Sequence, residues 1–272
     1  ALIITAVAIL VNGGPEPMDI NASFNPALVF AGGFAGTAGI ALAFAFASFI
    51  GFEATAIYGE ESKDPKRDVP RATYWAIGII AALFAVVSFA MVVGMGSSQL
   101  IDQVVERSSV LADPAAVLFS LAAEYVSPEI VTIMALLVVT SLFAGLLAFQ
   151  NAAARYFFAM GRGGVMPSML GETNKAGAPQ NGALLTSIIA GAVIVLFAAA
   201  GLDPFLNLFS WMSGIAVIAV VAVEVLVSIA VIAYFNKAGG GTLWNSKIAP
   251  AASVVLMLAG LYLLMSRFNL LA

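Results

Sequence analysis

Uninterrupted apolar runs recur near residues 28–58, 73–96, 130–160, 183–200, 205–235 and 249–266. A hydrocarbon core about 30 Å thick is crossed by roughly 20 helical residues, so each run is long enough for a transmembrane helix. Polar or turn-forming clusters bound them: Pro65 to Pro70, Ser97 to Pro114, Gly161 to Pro179, Gly201 to Pro204 and Lys237 to Lys247. Barrel strands are excluded, because they alternate apolar and polar residues over only about 9–11 positions. Only 10% of the 272 residues are charged, against about 25% in a soluble domain. The sequence therefore predicts an all-α integral membrane protein. The opening run Ala1 to Val11 falls short of a full crossing and reads as the exit end of a helix.

The cations fix the direction of threading. Lys63, Lys66, Arg67, Arg71, Arg155, Arg162, Lys175, Lys237 and Lys247 fall on one side if the spans alternate, which leaves Arg107 and Arg267 opposite. The second side instead carries acids such as Glu16, Asp19, Asp102, Glu106, Asp113, Glu124, Glu129 and Asp203. Positive residues stay inside, so loops 59–71, 161–182 and 237–247 are expected in the cytoplasm of a multi-pass cell-membrane protein. The non-cytoplasmic stretch from Ser97 to Glu129 is amphipathic near 115–125. That pattern suits a short surface helix, either in a packed loop or as a lid over an external vestibule.

Composition also narrows the chemistry. A net charge of −4 argues against nucleic-acid binding, which needs a clustered basic surface. With no histidine and no cysteine, imidazole or thiolate metal sites and His-dependent nucleophile systems are excluded within this chain. No cofactor and no metal are expected.

One run is too long for a plain helix. From Ala27 to Tyr58 is 32 residues, roughly 48 Å at 1.5 Å per residue. Within it Phe49, Ile50, Gly51, Phe52 and Glu53 follow one another. The glycine relaxes the backbone, and a carboxylate in an apolar helix costs about 2.5–3.5 kcal/mol to insert. A helix broken there would turn backbone groups toward a wet cavity and make a polar substrate site. Small residues at Ala35, Gly39, Ala43, Ala47 and Gly51 permit close helix approach, which packing alone also explains. For Glu53 the alternative is an interfacial carboxylate reaching the loop near Gly59.

The segment Phe46 to Pro70, FASFIGFEATAIYGEESKDPKRDVP, strongly resembles the sixth transmembrane segment and following loop of the amino acid-polyamine-organocation superfamily of permeases. Asn151 to Pro167, NAAARYFFAMGRGGVMP, with Asn174 to Pro179, NKAGAP, resembles the end of that family's eighth segment and its cytoplasmic loop. The resemblance runs the length of the chain, from the end of segment five through segment eleven. It implies a leucine-transporter-like fold: 1–11 ends the fifth helix, 27–235 forms the second inverted repeat, and 249–266 is one further helix. It further implies a secondary permease for amino acids or related amines, working by alternating access. Most of the first repeat would lie outside this sequence, so the fragment alone is not expected to transport.

By the same resemblance, the backbone of Phe49, Ile50 and Gly51 offers carbonyl oxygens to the substrate ammonium, and Phe149 packs on substrate. Glu53 is the coupling or conformational carboxylate, responding to a proton or a sodium ion. Some members carry an aromatic gate where Ala47 stands; its absence here leaves a wider cavity or puts gating elsewhere, on Phe46 or Phe49.

Other residues are read from position alone. Thr140, Asn151 and Arg155 share one helix face within about 60°; hydroxyls there either ligate sodium or bond back to their own helix. Glu224 is a second intramembrane acid, with Ser210, Ser213 and Ser228 within about 40° of it. That stripe must face protein or water, as a structural hydrogen bond or a proton relay. In the loop Gly59 to Arg71, Pro65 reads as a helix stop and Pro70 as the first turn of the next helix, with Glu60, Glu61, Asp64 and Asp68 pairing the cations. Two other classes remain open: an intramembrane enzyme using Glu53 and Glu224, and a non-transporting multi-pass protein.

Overall fold

The computed structural model describes residues 1–29, 38–57, 59, 62–109 and 116–266. Ala35, Glu60, Glu61, Asp113 and Arg267, named above, lie outside the described residues. All regular structure among the described residues is helical: α1 (Leu2–Asn12), α2 (Ile20–Phe24), α3 (Pro26–Val29), α4 (Ala38–Phe49), α5 (Ala54–Ile57), α6 (Pro65–Met95), α7 (Leu100–Ser109), α8 (Ala116–Tyr125), α9 (Pro128–Arg162), α10 (Gln180–Ala199), α11 (Ser210–Ala238) and α12 (Ala249–Ser266). Five helices reach membrane length: Pro65–Met95, Pro128–Arg162, Gln180–Ala199, Asn207–Ala238 and Trp244–Ser266. Lipid offers no hydrogen bonds to a backbone, which is why long apolar runs close their bonds internally as helices. The protein is an all-α, multi-pass membrane protein.

Membrane solvation shows on the surface. Along α9, Leu136, Val139, Leu142 and Leu146 are each 64–68% exposed, a stripe at helical spacing that would be costly in water and is neutral in hydrocarbon.

Two compact units make up the chain. The first comprises Ala1–Asn25 and Phe52–Ser187; the second comprises Pro26–Gly51 and Ile188–Ala272. In the first, Ile9 of α1, Val93 of α6 and Leu121 of α8 centre a dry cluster joined by Ala6, Ala90 and Val117. The Tyr125 hydroxyl donates to the Gly94 carbonyl at 2.9 Å and ties α8 to the end of α6. In the second unit, Val217 and Val221 of α11 and Leu264 of α12 are buried together, and Phe46 and Ala47 of α4 and Ile50 just after it pack on them.

The proline reading of loop 59–71 needs correcting. Pro65 does not stop a helix; it is the first residue of α6, after an Asp64 N-cap, and Pro70 lies inside the helix. Proline suits that first position, where its fixed φ is already helical and its missing N–H has no partner to lose. α6 thus begins eight residues before the apolar run near 73. Between residues 97 and 129, α8 lies at 116–125, and α7 at 100–109 is a further helix whose polar composition hid it from hydropathy.

A carboxylate fastens the chain after α1 to the end of α6. Glu16 accepts from the Ser97 hydroxyl at 3.2 Å, from the Ser98 N–H at 3.1 Å and from the Ser98 hydroxyl. Gly14 lies so close to α6 that a Cβ there would sit 1.7 Å from the Val93 carbonyl oxygen. The hydrogen bonds, Ser98's foremost, hold the Glu16 carboxyl below its ordinary value of 4.5. A depressed carboxylate stabilises the fold fully above its unfolded pKa, and that contribution is lost as pH falls through the folded value. Exchange of the Ser98 amide, corrected for intrinsic rate, should stay slow at neutral pH and quicken only below the ordinary glutamate range. In Glu16→Gln that acid step should vanish.

Candidate functional site

The site residues expected from the sequence, Phe49 to Glu53, lie where α4 ends and the chain turns toward α5. α4 ends at Phe49, residues 50–53 form turns, and α5 starts at Ala54. Here the helical ladder tightens from four-residue to three-residue spacing. The Ile50 N–H donates to the Ala47 carbonyl at 3.2 Å, Thr55 to Phe52 at 3.3 Å and Ala56 to Glu53 at 3.0 Å. Gly51 has φ +113°, a backbone conformation closed to ordinary side chains. Nothing lies within 4 Å of where its Cβ would stand, so the backbone and not space demands glycine. In chain order this turn is also where the second unit gives way to the first.

Each flank of the turn is held by its own unit. On the α4 side, Ile50 belongs to the cluster around Val217 and Val221. On the α5 side, the Thr55 and Thr73 hydroxyls share a hydrogen bond at 2.6 Å, while Thr73 donates to the Val69 carbonyl. α5 is thereby fixed against α6. Glu53 is half-buried, and its carboxylate stands within electrostatic reach of the Tyr156 phenol on α9.

Tyr156 opens onto a cleft of about 980 Å³ in the first unit, lined by Ala56 and Ile57 of α5, Asn151 and Arg155 of α9, and the loop Thr173–Pro179. That loop is wound around Asn174, whose side chain accepts from the Ala176 and Ala178 amides at 2.9 and 3.0 Å. Arg155 donates to Asn151 at 3.4 Å, and the Arg162 guanidinium lies 5.4 Å from the Phe158 ring centroid. Part of the Asn151–Pro167 motif serves packing: Ala154 and Gly161 are buried. Ala154 is buried where α9 crosses α10, and a Cβ on Gly182 would lie 2.5 Å from the Ala154 carbonyl oxygen. Beside that crossing, Gln150 donates to the Ala183 carbonyl at 2.7 Å and the Ser187 hydroxyl at 2.9 Å.

The remaining candidates divide. Phe149 is 54% exposed on α9 and does not line the cleft. Thr140 bonds back to the Leu136 and Leu137 carbonyls, the bland alternative for its hydroxyl. Glu224 is half-buried on α11, one turn beyond Val221. Ser228 on the same face donates to Ser253 of α12 at 3.2 Å, so this part of the polar stripe faces protein. Phe46 packs into the α11–α12 core. Among the described residues no group of three or more potential ligands is arranged to hold a metal ion. Sequence reasoning missed Tyr156 because nothing in a single helix says which loop or turn its phenol will meet.

The family model described as amino acid permease matches residues 1–269. The branched-chain amino acid permease BcaP of Lactococcus lactis is 30% identical over 61% of this chain and 34% of its own length. The lysine-specific permease LysP of Escherichia coli is 27% identical over 60% of the chain and 32% of its length. A probable amino-acid permease of Schizosaccharomyces pombe, meu22, is 30% identical over 77% of the chain and 36% of its length. The chain thus spans about a third of the length of the curated relatives it matches. No solved structure matches the chain.

The α9–α10 crossing gives a direct test. Gly182→Val pushes a side chain against backbone that cannot yield, and overpacking of this kind costs about 1–3 kcal/mol. Thermal unfolding in detergent should show a lower midpoint for Gly182→Val and little change for Gly191→Ala, whose Cβ would meet open space.

Proposed function

The chain belongs to the amino acid permease family, and from that premise we propose that the complete protein is a secondary active transporter of amino acids or related amines. Membership of a family of transporters argues against the enzyme reading of Glu53 and Glu224. The observation that carries the proposal is the turn at residues 50–53, with Gly51 at φ +113°, placed inside an apolar segment. Interrupted helices in a membrane belong where they line a binding cavity, since lipid cannot satisfy their backbone groups.

On this reading the chain supplies the second inverted repeat and one further helix of a leucine-transporter-like fold. Substrate sits at the end of α4, its ammonium donating hydrogen bonds to the carbonyl oxygens of Phe49, Ile50 and Gly51. Phe149 is the aromatic that packs on substrate in the assembled protein. Glu53 couples binding to a proton or sodium ion and changes its surroundings between outward and inward states. Tyr156 gives that carboxylate a polar neighbour. Glu224 is the second coupling or gating acid, on the α11 face that carries the α4 half of the site. Loops 59–71, 161–182 and 237–247 face the cytoplasm, following the positive-inside bias. The relatives named for lysine and for branched-chain substrates differ in side-chain charge. That suits a family whose fixed element is recognition of the α-ammonium and carboxylate, with selectivity set elsewhere.

Uptake of labelled amino acids and amines into proteoliposomes of the full-length protein tests the proposal. Substrate-dependent flux is expected for at least one substrate class; none across a broad panel would overturn it. Gly51→Ala forces a strained φ costing about 1–3 kcal/mol, so uptake should fall by about tenfold or more at unchanged protein level. In Glu53→Gln, gradient-driven accumulation should be lost while substrate exchange persists.

A further inference from the structure

Gly260 stands where the largest side chain of the α4 packing face meets α12. It is buried, and a Cβ built on it would lie 2.9 Å from Phe46 Cε2 and 3.1 Å from Phe46 Cζ. The Phe46 ring is half-buried and packs against the cluster of Val217, Val221 and Leu264. Glycine at a membrane helix interface permits this closeness; any larger residue displaces the neighbour. Phe46 on α4 and Ile50, the first residue of the turn after it, are four positions apart and both pack on that cluster. The ring and the start of the turn thus rest on one surface.

We propose that Gly260 is a positioning residue for the substrate site: the absence of a side chain on α12 seats the Phe46 ring and so sets the height and rotation of the backbone at Phe49–Gly51. This rests on the reading that substrate binds at that junction. It assigns to α12, the helix beyond the inverted repeat, the task of supporting the α4 half of the site. It also makes Phe46 an anchor and not a gate. Binding geometry is steep in position, with a displacement near 1 Å able to cost about a hundredfold, so a small repacking here should be visible in substrate affinity.

The test is initial-rate uptake by the full-length protein in proteoliposomes. Gly260→Ala and Gly260→Val are each measured with and without Phe46→Leu, and the reconstituted amount is quantified. Gly260→Val should raise KM by about tenfold or more, Gly260→Ala by less, with Vmax per reconstituted protein little changed. Phe46→Leu, which shortens the ring away from the intruding side chain, should return KM of the double variant to within about threefold of Phe46→Leu alone. An unchanged KM in Gly260→Val, or a defect that Phe46→Leu leaves in place, would overturn the proposal. If Gly260→Val does not reconstitute, the Gly260→Ala pair decides by the same criterion. Wild-type flux insensitive to Gly260 defeats this inference alone, whereas absence of wild-type flux across the panel defeats the transport reading and this inference with it.

Discussion

Inside a bilayer every peptide group must find its partner within the protein, and this constraint governs the whole molecule. It makes α6, α9, α10, α11 and α12 into long helices whose backbones close on themselves. It leaves their side chains free to meet hydrocarbon. The same constraint gives the turn at residues 50–53 its meaning. A short three-residue ladder and a glycine at φ +113° interrupt an apolar segment where an unbroken helix would be the cheapest solution. On the proposed transport reading, substrate is bound there by groups that a complete helix keeps to itself.

Around the interruption, close helix contact and a hydroxyl pair supply support. α4 is held by Phe46, Ala47 and Ile50 on the α11–α12 cluster. α5 is held by the Thr55–Thr73 hydroxyl pair. Gly182 and Gly260, like Gly14 and Gly94, are glycines whose Cβ would meet a neighbouring helix. Membrane helices gain little from the hydrophobic effect against each other, so such close approaches carry the association.

Hydropathy made the five long helices legible, because lipid imposes one requirement on all of them. The motif around Gly51 and Glu53 was legible because the residues that shape the turn are consecutive. Pro65 was misread: alone, a proline signals a break, and only the Asp64 N-cap and the helix after it show that it opens α6. α7 escaped because its polar composition conceals a helix in a loop. The Glu16 contacts with Ser97 and Ser98 join residues more than 80 positions apart, and no local pattern announces them. The same holds for Tyr156 near Glu53 and for Phe46 against Gly260. A sequence shows that a glycine or phenol is present, while the partner is decided by tertiary packing.

Substrate protection at the turn tests the central claim most directly. The sequence has no cysteine, so Phe49→Cys, at a half-buried position outside the α11–α12 cluster and in the full-length protein cleared of any other thiol, gives one defined probe. A membrane-impermeant maleimide should label it, and transported amino acid should slow that labelling at concentrations near its KM. A residue 49 thiol that stays inert, or one that labels equally fast with and without substrate, would contradict the account.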